Sequence, residues 1–252
     1  MLINGISIDK YDAQLIDRTI TPNEIITVSD WLDGASSPTF VRQQDSFKTI
    51  TAVLLVNGGD EETCAMDVSN LVCASRGQVD IKFDEDISAL TYPSTLESSQ
   101  VERMKPGVHK LTLTYKAAHA YGKEVSMTVK GAADGSTREF EIINKGTAEA
   151  PLIMEIKIND AANINRINFD FWEGKYNIGK YIGGFYLNNL EKGHTYVVDT
   201  DQGTITDKDT GESVIEKFDG YYLPKALVGV TGVTRDWYVG YDVTIKYKPR
   251  YV

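Results

Sequence analysis

The sequence predicts a mainly β protein of two domains, with one helix in the first, and three observations carry that reading. Most apolar residues alternate with polar ones in short runs, the period of a half-buried strand. Only one stretch, residues 60–76, spaces its apolar residues for a helix. After Asn144 no helical period is left, and short alternating runs follow one another between Gly, Asn and Asp, the pattern of a β-sandwich. The expected domains are therefore residues 1–143 and 144–252.

Taken in order, Asn4-Gly5 lies between Leu2-Ile3 and Ile6-Ser7-Ile8, and both residues tolerate the positive φ of a tight hairpin turn. Phe47–Val56 is rich in β-branched residues and predicts a buried strand, which Asn57-Gly58-Gly59 ends. Asp60 offers an N-cap, Glu61 and Glu62 suit the positive end of the helix dipole, and Gly77 supplies the stop. Within that helix Cys64, Val68, Leu71 and Val72 form one stripe. Val79, Ile81 and Phe83 alternate with Asp80, Lys82 and Asp84, and Leu111, Leu113 and Tyr115 alternate with Thr112, Thr114 and Lys116, so both runs predict strands. Between them the polar stretch Ser94–Gly107 reads as an exposed connection or a protruding hairpin arm, and Gly131–Thr137 as a turn cluster. In the second half Leu152, Met154, Ile156 and Ile158 lead a series of short strands, continued by Ile167-Phe169-Phe171, Phe185-Leu187, Tyr196-Val198 and Val243-Ile245-Tyr247.

Charge and composition narrow the function. The 252 residues carry 26 basic and 36 acidic side chains, a net charge of −10, which disfavours gathering phosphate backbones or anionic lipid. No export signal or membrane anchor is expected: the first twenty residues lack a basic stretch ahead of an apolar core, and the longest aliphatic run, Ile50–Val56, falls far short of a bilayer span of about 20 residues. Cys64 and Cys73 stand nine residues apart on opposite faces of the helix, too far along its axis for a disulfide, and read as small apolar fillers.

Familiar catalytic constellations are missing, so no catalytic, cofactor-binding or metal residue is assigned and no enzyme is expected. His109, His119 and His194 stand in no metal-binding spacing, and no serine sits in a nucleophile elbow. A glycosidase-type carboxylate pair needs a spacing that sequence alone cannot supply. The run Asp199–Asp207 looks like a calcium loop, but its glycine falls one place early and strands flank it, which favours a β-hairpin. Trp172, Tyr176 and Tyr181 around Glu173 could stack on sugar rings, though cross-strand aromatic packing is the simpler expectation. Gly183-Gly184 precedes a strand pattern rather than a helix, so it makes no phosphate loop.

The order of segments resembles the distal tail proteins of siphophages that infect Gram-positive bacteria, including those of lactococcal phages. The likeness begins at LINGISI, Leu2–Ile8, runs through the single helix and the VDIKFD strand, and reaches His109–Gly122, where Ala118-His119-Ala120-Tyr121 departs from the usual Asp-Pro-Tyr-like turn at its first two places. It continues with NKGTAEAPLIMEIKI, Asn144–Ile158, with Thr195–Gly211 and with the ending YDVTIKYKPRYV. The resemblance implies a first domain that closes into a homohexameric ring continuing the tail tube, and a galectin-like sandwich as the second. Its implied partners are the tail tube protein, the tail-tip protein and the baseplate or receptor-binding proteins, in a virion tail assembled in the host cytoplasm, with DNA passing through unbound and no membrane involved. No sugar-site residue carries over, since only Trp172-Glu173 is faintly reminiscent of the lectin set. The alternatives to this structural hub are a carbohydrate-binding adhesion module, motivated by Trp172, Tyr176 and His194, and a cell-wall hydrolase. A ring lumen lined by Asp, Glu and small polar residues of the first domain is expected, so that the wall does not grip DNA.

Overall fold

The computed structural model describes the whole chain except residues 24, 31–38, 84–89, 132–138, 160–163, 221 and 236–239. It divides into two units, Met1–Gly122 with Tyr251–Val252, and Lys123–Arg250.

The first unit holds β1 (Leu2–Ile3), β2 (Ile6–Ser7), β3 (Ala13–Thr21), β4 (Ile25–Asp30), β5 (Thr39–Asp45), β6 (Lys48–Asn57), α1 (Glu61–Ala74), β7 (Gln78–Lys82), β8 (Thr91–Lys105), β9 (Val108–Ala117) and β10 (Ala120–Tyr121). Its main sheet runs in the order β2-β1-β7-β8-β9-β6-β3, while β4 and β5 pair as a separate hairpin. The opening hairpin forms as expected, with Asn4 and Gly5 both at positive φ. Strict alternation along β6 and β9 buries Ile50, Ala52, Leu54, Leu111, Leu113 and Tyr115 on one face. The helix covers that face with Cys64, Val68 and Leu71.

Asp60 caps the helix as the sequence predicts, its carboxylate accepting the Thr63 N–H at 2.9 Å. At the far end the buried Tyr115 hydroxyl donates to Ser75 Oγ at 2.9 Å, pinning the helix terminus to the sheet, and burial pushes the Tyr115 phenol up to about 12. Cys64 is buried and Cys73 exposed, both as free thiols. The stretch Ser94–Gly107 is a hairpin arm rather than a connection: it supplies most of β8, and the chain turns at Pro106-Gly107 into β9.

The second unit is a β-sandwich. Its strands are β11 (Val125–Val129), β12 (Glu139–Asn144), β13 (Ala150–Pro151), β14 (Ile153–Ile158), β15 (Ile164–Glu173), β16 (Lys180–Leu190), β17 (Thr195–Asp199), β18 (Thr204–Asp207), β19 (Phe218–Gly220), β20 (Lys225–Ala226), β21 (Gly229–Arg235), β22 (Tyr241–Tyr247) and β23 (Arg250–Tyr251), whose last residue returns to the first unit. Two five-stranded sheets, β11-β22-β14-β17-β18 and β12-β21-β15-β16-β19, enclose one core. Met154, Ile156, Val243 and Ile245 come from one sheet, and Phe169, Phe171, Phe185 and Leu187 from the other. Phe185 stacks between Phe169 and Phe171 with centroids 5.2 and 6.0 Å away, so the aromatic run of the sequence is the centre of this core.

The division between the units lies at Gly122, earlier than the expected boundary at 143/144. Strand β11 pairs with β22 and β12 with β21, so residues 125–144 belong to the sandwich. Asn144 is a buried corner of that sandwich rather than a linker residue: its Nδ2 donates to the Ala148 and Ala226 carbonyls, and its Oδ1 accepts the Gly146 N–H, each at 2.9 Å. The expected turn cluster at 131–137 lies, Gly131 apart, outside the described residues. Gly183-Gly184 sits inside β16, where a Cβ on Gly184 would come within 2.5 Å of the Asp170 carboxylate.

Candidate assembly face and its edges

The face of the first sheet turned away from the helix is rich in hydroxyls. Strand register aligns four rows across β3, β6, β9 and β8: Thr21, Thr49, Lys116, Thr95; Thr19, Thr51, Thr114, Ser98; Asp17, Val53, Thr112, Gln100; and Gln14, Leu55, Lys110, Glu102. Alternation dictates this, because burying Leu111, Leu113 and Tyr115 on one side leaves Lys110, Thr112, Thr114 and Lys116 on the other. Both lysines meet a glutamate of β8, Lys110 with Glu102 at 3.4 Å and Lys116 with Glu97 at 3.7 Å, and Lys116 also donates to Thr49 Oγ1 at 3.1 Å. The resulting surface is mainly polar, with Val53 and Leu55 among its rows and both lysines beside a carboxylate.

This four-strand face ends in two long edges. Strand β7 pairs with β8 only as far as Thr95, and among the described residues no strand pairs beyond it or along the outer side of β3. The outer half of β8 is exposed on both faces, and Val101, Met104 and, on β3, Ile16 are exposed apolar residues. Unpaired backbone beside exposed apolar side chains invites pairing with another chain.

A clasp holds the arm in place. The Glu61 carboxylate, in the first turn of the helix, accepts the Gly107 N–H at 3.0 Å and lies 3.2 Å from both Arg103 Nε and His109 Nε2. The Gly107 bond, aided by His109 and Arg103, holds this carboxyl below its usual range. His109 is therefore a structural partner of the hairpin tip.

The remaining sequence candidates separate. His119 packs edge-on against Tyr121, and His194 lies in the second unit. Trp172 does meet Tyr176 and Tyr181, with centroids 5.3 and 5.2 Å away, but the rings pack edge against face, and the Tyr181 hydroxyl donates to Asp170 at 3.3 Å. The Trp172–Tyr181 contact is the expected cross-strand packing, Tyr176 joins it from the turn after β15, and Glu173 is exposed at the strand end. The run Asp199–Asp207 is the expected hairpin of β17 and β18, its turn set by Asp199 Oδ1 accepting the Asp201 and Gln202 N–H groups.

One grouping has no sequence signature. Strand pairing brings His194, Asp207 and Asp209 together, with one donor atom from each within 4.8 Å of the others, and these are the residues best placed to hold a metal ion among those described.

In three dimensions the chain is similar to the Dit protein of phage SPP1, a paradigm of the hub adsorption apparatus in phages infecting Gram-positive bacteria. The match covers 100% of this chain and 98% of that one, with a TM-score of 0.79 at 14% identity. A chain of the phage P2 baseplate in its activated conformation with calcium matches over 93% of this chain and 90% of its own, with a TM-score of 0.53 at 12% identity. No family model and no curated protein matches the sequence. At these identities the likeness is one of fold, and it spans both units in their order; the expected resemblance to distal tail proteins is present at that level.

Proposed function

We propose that this chain is a structural hub protein of a siphophage tail tip, without enzymatic activity, in which six copies form a ring between the tail tube and the baseplate. The observation that carries the reading is the end-to-end match to the SPP1 Dit protein, which takes in both units together. The polar sheet face supports the passage of DNA. Each lysine on it is held by a glutamate, which leaves little cationic surface to release counterions from a passing duplex, while the hydroxyls present no fixed charge. On this reading the face lines the lumen with small polar residues and paired charges. Neighbouring copies join through the open edges of β3 and β8, a head-to-tail contact of the kind that closes a ring. The second unit is the galectin-like sandwich on which partner proteins are mounted.

Native mass measurement of the purified chain tests this. A single species of about six times 28.0 kDa is expected, and a monomer at every concentration overturns the reading.

A further inference from the structure

We propose that His194, Asp207 and Asp209 form a binding site for a transition-metal dication of the zinc type, on a corner of the sandwich. Three elements bring the ligands together. Tyr196 pairs with Asp207 across β17 and β18, the Lys208 N–H donates to the Thr195 carbonyl at 2.8 Å, and the turn after β18 closes with the Gly211 N–H on the Asp207 carbonyl at 2.7 Å. The backbone next to residue 194 is thereby held alongside residues 207 and 208.

The side chains are oriented from behind. Asp207 is only 5% exposed, and its Oδ1 accepts the Asp209 N–H at 3.0 Å, which leaves Oδ2 facing His194 Nδ1 at 2.6 Å. Asp209 is fixed by the Thr195 N–H on Oδ2 at 2.7 Å. Ligand atoms that share one ion at about 2.0–2.5 Å lie within about 5 Å of one another, and these three atoms meet that limit at 4.8 Å.

Charge points to a cation as well. Asp207 and Asp209 bring two negative charges where His194 can return at most one, and Glu191 adds a further carboxylate to the field at His194. Two nearby lysines are engaged elsewhere, Lys208 with Glu155 at 3.3 Å and Lys217 with Glu191 at 3.2 Å. An imidazole with two carboxylates suits zinc, cobalt or manganese, whereas calcium and magnesium prefer oxygen alone. Binding replaces the proton shared by His194 and Asp207, releases it to solvent and opens their contact to about 3 Å, with water completing the shell on the exposed side. The ion would then tie β17 to the turn that follows β18.

Titration calorimetry with zinc chloride on the chelator-treated full chain tests the site, with magnesium chloride as control. One ion per chain is expected, with affinity lowered at least about tenfold in His194→Gln and in Asp209→Asn, changes that keep a hydrogen-bonding side chain at each position. Absence of saturable zinc binding overturns the proposal and leaves a simple His194–Asp207 ion pair. Unchanged affinity in both variants also overturns it, since the ion is then held elsewhere, as at the exposed Cys73. Circular dichroism checks the fold of each variant; should Asp209→Asn unfold, His194→Gln decides alone.

Discussion

The two units differ most in how their sheets end. In the sandwich the edge strands are short: β18 has 4 residues, β19 has 3, β11 has 5 and β12 has 6. Short edges are a common way to block unwanted pairing, and both sheets bury their inner faces against each other. The first unit instead leaves open, among its described residues, the outer side of the 9-residue β3 and the side of the outer half of β8 that faces away from β9, with apolar side chains beside them. The sandwich ends in short strands, whereas the long open edges of the first unit are where the proposed assembly would add a neighbouring copy.

The largest effect is expected from separating the units. Residues 123–250 should fold as a monomer, and residues 1–122 should retain assembly, both read by native mass; assembly by the second fragment alone would reverse the assignment. A subtler break targets the edges. Val101→Asp and Ile16→Asp should each abolish or strongly weaken assembly by placing a desolvated charge in the contact, while shifting the stability of the isolated chain by no more than about 0.5 kcal/mol, as for other exposed positions.

The converse perturbation belongs to the sandwich core. Phe169→Ala should cost about 3–5 kcal/mol in the unfolding of the second unit, measured by denaturant titration, and leave the particle mass of the folded protein unchanged. The smallest effect is expected at Glu155. Its hydrogen bond with Lys246 at 2.8 Å, with help from Lys208, holds the carboxyl below its ordinary value of 4.5. A depressed carboxyl stabilises the fold above that value and loses its contribution as the pH falls through the folded one. Glu155→Gln should therefore lower stability near neutrality, by less than about 1 kcal/mol for so solvent-screened a group, and flatten the loss seen on acidification below pH 4.5.

Much of this architecture was legible in the sequence because it rests on local period. The stripe of Cys64, Val68 and Leu71 and the alternation of Leu111, Leu113 and Tyr115 announce a helix lying on a sheet, and the hydroxyls opposite them follow from the same alternation. Illegible was whatever depends on which strands are neighbours. Thr19, Thr51, Thr114 and Ser98 form one row only because β3, β6, β9 and β8 lie side by side, and His194 meets Asp207 and Asp209 only through the hairpin register. The boundary was misplaced for the same reason. Asn144 and Gly146 carry the composition of a linker but serve an internal corner, and the strands before them, β11 and β12, declare their allegiance only by pairing with β22 and β21.

The most direct test of edge-to-edge assembly is chemical cross-linking between the two edges. With the exposed Cys73 replaced by Ser, Ile16→Cys and Val101→Cys are combined in one chain and treated with a short flexible bis-maleimide. A ladder of covalent species rising to six copies is expected from the double variant, and none from either cysteine alone. Covalent dimers from Val101→Cys by itself would indicate a two-fold contact, and an assembled particle that yields no ladder would place the contact elsewhere; either result contradicts the account.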